Sequence, residues 1–164
     1  MAAFPAVEHP DIDKALFAEL FRLCREGNLD ELRNVLCYEK NVLNYFLIRT
    51  QRGSTLLHEA VECDKADTVQ LLLLHSVSPN IRAKGGITPL QLAASKGHVD
   101  CVRALLEGGA DISLKDDVGH DAVTKAERSK KREAVLKRLR SKGVHVPMRF
   151  ECVMENTCSG LGGS

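Results

Sequence analysis

The sequence predicts an all-α fold in which short antiparallel helix pairs stack side by side into a solenoid. Three observations predict it: apolar residues recur every 33 residues, helix start and stop signals recur with them, and aromatic residues make up only 4% of the chain. A core of Leu, Val and Ala suits closely packed helices better than a β-sandwich. A chain of 164 residues is long enough for one domain with a buried core.

The repeat is marked by three glycines, Gly53, Gly86 and Gly119, which follow one another at intervals of 33 residues. Other positions keep the same register across the copies. The matched sets are Thr55 and Thr88; Leu57, Leu90 and Val123; Ala60, Ala93 and Ala126; Val69, Val102 and Val135; and Leu73, Leu106 and Leu139. Agreement at so many positions indicates a repeated structural unit.

The middle copy contains a complete set of helix signals. Thr88 can cap a helix through its hydroxyl, and Pro89 at the first helical position gives up no hydrogen bond that the helix needs. Gly97 suits the left-handed conformation that ends a helix, and Gly108-Gly109 ends the following one. A helix pair of this size cannot bury its apolar faces alone, so neighbouring copies must stack.

The segment from Gly86 to Asp111 closely resembles the ankyrin repeat. The fold that this resemblance implies is an all-α ankyrin-repeat solenoid of helix-turn-helix units with projecting β-turn fingers. The resemblance covers about four copies, at residues 14–51, 52–84, 85–117 and 118–146, and leaves residues 1–13 and 147–164 as an N-terminal tail and a C-terminal tail or linker.

The other copies depart from the family's pattern. In the second copy, Leu56 replaces the family's proline and Asp64 replaces the turn glycine. We expect this copy to keep the fold, because Asp tolerates a left-handed turn better than most residues. The last copy has Lys130 in place of the turn glycine, and its second helix carries charge outside a narrow apolar stripe. Such a pattern is typical of a solvent-facing cap.

An insertion lies near the end of the first copy, where four extra residues occur between Cys37 and Gly53, around positions 41–50. Its apolar residues are Tyr45, Phe46, Leu47 and Ile48. These side chains are too apolar to lie loose in water. They either pack against the first two copies, which we favour, or form an exposed hydrophobic anchor for a partner.

No catalytic or metal-binding motif accompanies the repeats. His58-Glu59 begins like the helix of a zinc protease, but Glu62 stands where the second histidine is needed. The resemblance instead implies that His58 is the family's buried turn histidine, whose ring bonds backbone groups. Cys63 and Cys101 lie in repeat helices, where a small apolar residue fits, and we predict structural roles for them. We therefore predict a protein that is not an enzyme and takes no cofactor or metal.

Cysteine usage and apolar patterning predict the compartment. The six cysteines show neither paired zinc spacing nor the disulfide framework of a small secreted protein. The N-terminal residues lack a signal-peptide pattern, and the longest apolar run, Leu71 to Leu74, is too short to cross a bilayer. We expect reduced thiols, no membrane span and a cytoplasmic location, with the nucleus as an alternative.

The ankyrin resemblance implies that a partner binds on a concave surface lined by the inner helices and the fingers. Binding residues in the family flank the leading glycine of each copy and occupy the exposed end of its first helix. Carried across by position, this nominates Arg49, Gln51, Arg52, Ser54, Arg82, Lys84, Ile87, Lys96, Lys115, Asp117 and His120. Since the set is mostly basic, we expect the partner to be another protein with an acidic segment. We also expect the chain to be monomeric when unbound. The alternative is that exposed turns carry charge only for solubility.

A second basic region, residues 125–142, carries nine Lys and Arg against two Glu, while the whole chain has a net charge of +1. We interpret it as the solvated face of a capping helix. The alternatives are a nuclear import signal, or an electrostatic contact with anionic lipid or nucleic acid. Nucleic acid is disfavoured because the region lacks aromatic side chains that stack on bases.

The sequence thus predicts a non-catalytic protein-interaction module that acts as an adaptor or regulatory scaffold. Two other interpretations stay open. One is a direct inhibitor that resembles the small ankyrin-repeat inhibitors of cyclin-dependent kinases, and the other is the targeting arm of a larger protein. The partner itself is not predicted, because ankyrin surfaces vary while their scaffolds do not.

Overall fold

A computed structural model describes residues 14–38 and 53–143, and within these ranges it contains eight α-helices and no strand. The helices are α1 (Lys14–Glu26), α2 (Leu29–Tyr38), α3 (Leu56–Glu62), α4 (Ala66–Leu74), α5 (Pro89–Lys96), α6 (Val99–Glu107), α7 (Ala122–Glu127) and α8 (Arg132–Arg140). The predicted all-α fold class is confirmed. None of these helices is both long enough and apolar enough to span a membrane.

The helices form four pairs that pack in two rows. The first helices of the pairs, α1, α3, α5 and α7, contact one another in chain order, and the second helices, α2, α4, α6 and α8, do the same. Each first helix also packs against the second helix of its own pair. We call the first helices inner and the second helices outer. The arrangement is the neighbour-to-neighbour stack that the 33-residue repeat predicts.

The core between the rows is built from the positions that keep register in the sequence. The fully buried members are Leu57, Leu90, Ala60, Ala93, Ala126, Val69, Val102, Val135 and Leu139. Alanine at three of these inner positions lets adjacent helices approach closely. In α8, Val135 and Leu139 are the buried residues among nine, so this helix caps the stack and turns its charged side outward.

Local signals begin and end the helices as predicted. Thr88 Oγ1 accepts a hydrogen bond from Gln91 N, and the Gln91 side chain accepts one from Thr88 N, which together form a capping box at the start of α5. Gly97 ends α5 at φ +77°. In the second copy Asp64 takes the corresponding left-handed conformation at φ +56°, and Ser76 at φ +65° follows the end of α4. The second copy therefore keeps both turns without glycine.

The three glycines that mark the repeat lie in equivalent turns. Gly53, Gly86 and Gly119 have φ values of +72°, +71° and +89°, in a region that residues with a side chain rarely adopt. The last two belong to the fingers at residues 82–87 and 115–120. Each finger is closed at its base by a backbone hydrogen bond between its second and last residues, at 2.8 Å in the first finger and 2.9 Å in the next.

Adjacent fingers touch through their backbones. Asp117 N donates a hydrogen bond to Gly85 O at 3.0 Å. A Cβ atom on Gly86 would lie only 3.0 Å from the same Asp117 nitrogen. Glycine at this position is therefore required twice, once for its positive φ and once for the close approach of the next finger.

One buried polar side chain tethers each finger to the preceding inner helix. His58 Nδ1 lies 3.0 Å from Thr55 Oγ1, and His58 Nε2 donates to the backbone oxygen of Ile87 at 3.0 Å. Gln91, one repeat later, donates to two backbone oxygens of the following finger region at 2.7 and 2.9 Å. The predicted role of His58 as a buried turn histidine is confirmed, and Gln91 performs the same role with an amide.

Gly86→Ala should destabilise the protein more than Gly119→Ala. Both changes place a side chain at positive φ, which costs about 1–2 kcal/mol. Only the methyl at position 86 would collide with the next finger, adding roughly 1–3 kcal/mol, whereas no heavy atom of the described chain lies within 4 Å of a Cβ on Gly119. Urea unfolding followed by circular dichroism measures the difference, and equal losses would contradict the contact between fingers.

His58→Leu should lower the free energy of unfolding by about 1–3 kcal/mol, because the backbone oxygen of Ile87 loses one of its two donors and the buried hydroxyl of Thr55 loses its hydrogen bond to the ring. His58→Gln should retain most of the stability, since Gln91 makes the equivalent bridge one repeat later. The same unfolding experiment compares the two variants. A loss in His58→Gln as large as that in His58→Leu would mean that the ring itself, and not its hydrogen bond, is needed.

Candidate functional site

The fingers lead directly into the inner helices, and together they form the surface on which the sequence analysis placed a partner. We define the finger face as residues 82–87 and 115–120 with the C-terminal ends of the inner helices. Three of the predicted contact residues, Arg49, Gln51 and Arg52, lie outside the described residues. For these three the assignment stays a prediction from the sequence.

Four predicted residues lie at equivalent points of the two fingers. Arg82 and Lys115 are one repeat apart, as are Lys84 and Asp117, and all four side chains are exposed. Because a backbone hydrogen bond from Asp117 to Gly85 joins the two fingers, equivalent positions are brought next to each other. Position and exposure thus agree with a role in binding, and a partner that crosses the fingers meets a basic residue at the start of each.

Three further predicted residues, Ser54, Ile87 and His120, are half-buried. The backbone oxygens of Ile87 and His120 accept the hydrogen bonds that close the two fingers and tether them to the inner helices. The backbones of Ile87 and His120 are therefore structural. Only the exposed parts of their side chains are available to a partner, so they hold the basic residues in place more than they add contacts.

Ion pairs neutralise much of the inner-helix surface. Arg25 Nη2 lies 2.8 Å from Glu59 Oε1 and so connects α1 to α3. Lys96, a predicted partner contact, pairs with Glu62 and connects α5 to α3. Both groups of the second pair remain partly exposed, so the pair adds little stability but cancels charge. Neither pair follows from the 33-residue register of the sequence, because the register does not show how far one helix is shifted along its neighbour.

The fingers, in contrast, keep an excess of positive charge. Arg82, Lys84 and Lys115 form no ion pair with any residue in the described ranges. Beside them, Val118 is 76% exposed, which is unusual for a large apolar side chain. A basic row with an apolar side chain at its end is a surface that can hold a partner by charge and by contact.

The buried carboxylate of the second finger does not reduce this charge. Asp116 Oδ2 lies 2.7 Å from Lys125 Nζ, and Asp116 Oδ1 accepts hydrogen bonds from the backbone nitrogens of Val118 and His120. The hydrogen bond from Lys125, supported by those from the backbone, lowers the pKa of Asp116 to about 2. Since the pKa lies below its value in the unfolded chain, this interaction stabilises the fold above about pH 4 and is lost as the pH falls towards 2. At neutral pH Asp116 and Lys125 cancel each other.

The buried thiols are poor nucleophiles. Burial raises the pKa of Cys24 and of Cys101 to about 12, so that little thiolate is present at neutral pH. Burial also raises the pKa of Cys63. These values agree with the structural roles predicted for Cys63 and Cys101.

The family model for ankyrin repeats in three copies matches residues 20–116 and 63–149 of the chain. Together the two matches extend over most of the sequence and include all four inner helices in whole or in part. Ankyrin repeats are non-catalytic modules that bind other proteins.

Several curated proteins are similar to parts of the chain. The E3 ubiquitin-protein ligase KEG of Arabidopsis thaliana is 38% identical over 72 residues, which are 44% of this chain and 4% of that protein. The serine/threonine-protein kinase TNNI3K of Homo sapiens is 36% identical over 93 residues, covering 54% of this chain and 11% of the kinase. The potassium channel AKT2/3 of Arabidopsis thaliana is 30% identical over 125 residues, covering 68% of this chain and 16% of the channel. The chain thus spans only a small part of each of these relatives.

Among solved structures, the crystal structure of the yeast ribosomal protein Rps3 in complex with its chaperone Yar1 contains a similar chain. The TM-score is 0.71 at 27% sequence identity, and the match covers 83% of this chain and 99% of that one. The repeat in the sequence, the stacked helix pairs and the family match lead to one conclusion. The chain belongs to the ankyrin-repeat family.

Proposed function

We propose that this protein is a non-catalytic adaptor or regulatory scaffold that binds an acidic segment of another protein on its finger face. It is proposed to act as a monomer before binding, in the cytoplasm or the nucleus. The observation that carries the proposal is the distribution of charge. On the inner helices Arg25 and Lys96 are paired with carboxylates of the neighbouring copy, while Arg82, Lys84 and Lys115 on the fingers are exposed and have no paired carboxylate in the described chain.

The chemistry of the fingers favours carboxylates. Arg82 can hold a carboxylate through two parallel hydrogen bonds, and Lys115 supplies a second positive charge one repeat further on. Asp117 lies beside Lys115 and would repel an acidic side chain placed against it, which fixes the register of the bound segment. The proposed partner segment therefore carries acidic residues opposite Arg82 and Lys115, and a neutral or basic residue opposite Asp117.

The structural comparison supports the coarser part of the proposal. The similar chain in the complex of Rps3 with its chaperone Yar1 is matched over 99% of its length. A stack of this size is therefore large enough to take part in a complex between two proteins without an additional domain on the same chain.

A second candidate function is the targeting arm of a longer protein. It is favoured by the small share of the curated relatives that the chain spans, which is 4% of the ubiquitin ligase, 11% of the kinase and 16% of the channel. In this case the finger face has the same role, and the activity belongs to another part of the polypeptide. The complete reading frame distinguishes the two candidates.

Reversing the finger charges with Arg82→Glu and Lys115→Glu should weaken partner binding about tenfold or more and flatten its dependence on salt, because the basic row attracts the acidic segment. The matched control is Arg103→Glu with Arg138→Glu, which changes the net charge equally at exposed positions on the outer helices α6 and α8. Wild-type protein first captures the partner from cell lysate, and surface plasmon resonance then compares the three proteins at several salt concentrations.

The result expected is a loss confined to the finger variant, with an acidic segment in the captured protein. Equal binding by the two variants would show that the finger face is not the binding surface. A captured partner without an acidic segment would leave the interaction module intact and remove the charge argument.

A further inference from the structure

The interface between the second and third copies brings three different metal-ligating side chains together. A carboxylate oxygen of Asp64, an imidazole nitrogen of His98 and the sulfur of Cys101 all lie within 4.8 Å of one another. Asp64 Oδ1 is 3.1 Å from His98 Nδ1 and 3.5 Å from Cys101 Sγ. We propose that these three residues bind one Zn²⁺ ion, with water as the fourth ligand.

The distances agree with a tetrahedral zinc site. Zinc bonds of about 2.0–2.3 Å place two ligand atoms roughly 3.3–3.6 Å apart, close to the two separations that involve Asp64. His98 is the N-cap residue that precedes α6, and Cys101 lies in the first turn of that helix. The imidazole nitrogen of His98 and the sulfur of Cys101 lie within 4.8 Å of each other. Small rotations of these two side chains would bring the two atoms to the separation that a bound zinc ion requires. The Asp64 side chain is 52% exposed, which leaves access for the ion and for a water ligand.

The imidazole is presented as a ligand. His98 Nδ1 is buried and lies 3.1 Å from Asp64 Oδ1, but the two atoms are not aligned for a hydrogen bond. A buried polar atom without a partner is unfavourable, and a metal ion between the two atoms satisfies both. Binding would replace the hydrogen bond from Cys101 to Asp64 and release the thiol proton, because a thiolate is the form that binds metal.

The combination of ligands selects the ion. Thiolate and imidazole are ligands of Zn²⁺, whereas Mg²⁺ and Ca²⁺ are bound through oxygen atoms. Zn²⁺ carries two positive charges, and the thiolate of Cys101 neutralises one of them. The carboxylate of Asp64 neutralises the other. Since Asp64 comes from one copy and the other two ligands come from the next, the ion would clamp the second and third copies together.

The fold does not require this cluster, because the other two interfaces have the same contact without ligands. A Cβ on Gly27 would lie 2.9 Å from Lys65 Cδ at the first interface. A Cβ on Gly97 would lie 3.1 Å from Lys131 Cβ at the third. The residues equivalent to Asp64, His98 and Cys101 are Gly27, Lys65 and Thr68 at the first interface and Gly97, Lys131 and Ala134 at the third.

The chain therefore has ligands at one interface only, and there Asp64 takes a left-handed conformation, φ +56°, that glycine adopts at the other two. The carboxylate of Asp64 is the group that connects His98 to Cys101.

The test is a titration of the full 164-residue chain, freed of metal and kept reduced, with Co²⁺ as a spectroscopic probe and Zn²⁺ as competitor. Tetrahedral Co²⁺ gives strong visible absorption bands, and a thiolate ligand adds a charge-transfer band in the near ultraviolet. We expect one Co²⁺ per chain with both features, displacement of Co²⁺ by Zn²⁺, and a higher unfolding midpoint with Zn²⁺.

The variants replace each ligand by the residue that another interface already carries, so each should fold, as circular dichroism will check. Asp64→Gly, His98→Lys and Cys101→Ala should each weaken Zn²⁺ binding by about tenfold or more, and Cys101→Ala should also lose the charge-transfer band. Cys63→Ala removes a nearby thiol outside the cluster and should bind as the wild type does. Absence of tetrahedral Co²⁺ in the wild type, or unchanged binding in the three ligand variants, would overturn the proposal.

Discussion

The close approach of successive copies is the constraint on which the structure depends. Ala60 and Ala93 are small enough for neighbouring inner helices to pack together, and both are fully buried. Gly86 lets the next finger come within backbone contact. His58 and Gln91 then bond the backbone of the following copy. Since a pair of short helices cannot bury its apolar faces alone, these contacts both hold the fold and set the fingers in a row.

The same stacking decides which charges are left for a partner. A residue on an inner helix has a neighbour one copy away, so Lys96 finds Glu62 and its charge is used within the protein. At the start of the fingers neighbouring residues carry the same sign, because Arg82 and Lys115 occupy equivalent positions, whereas Lys84 and Asp117 differ in sign. Positive charge is therefore left at the start of each finger. The outer helix α8 keeps a separate excess of positive charge on its outward side.

The sequence predicted the core and the turns because both are local or strictly periodic. Burial of Leu57 and Leu90 follows from their register, and the left-handed turn at Asp64 follows from the glycine in its place elsewhere. The pairing of Lys96 with Glu62 could not be predicted in this way. It depends on how far one helix is shifted along its neighbour, and the 33-residue register does not contain that shift. Arg49, Gln51 and Arg52, which the sequence nominates as partner contacts, lie outside the described ranges, so their role stays a prediction from the sequence.

The structure shows how far neighbouring copies are shifted, and this shift explains why the spacing of the proposed zinc ligands matches no zinc motif. Lys96 meets Glu62 and His98 meets Asp64, each 34 residues away, one more than the repeat length. Gly27 meets Lys65 at a distance of 38 residues, which is the same offset enlarged by the four inserted residues. Zinc motifs are usually sought among ligands a few residues apart. In a stacked repeat the ligands come together across one copy, so Asp64 of one copy completes a set with His98 and Cys101 of the next, and the other two interfaces carry none of the three.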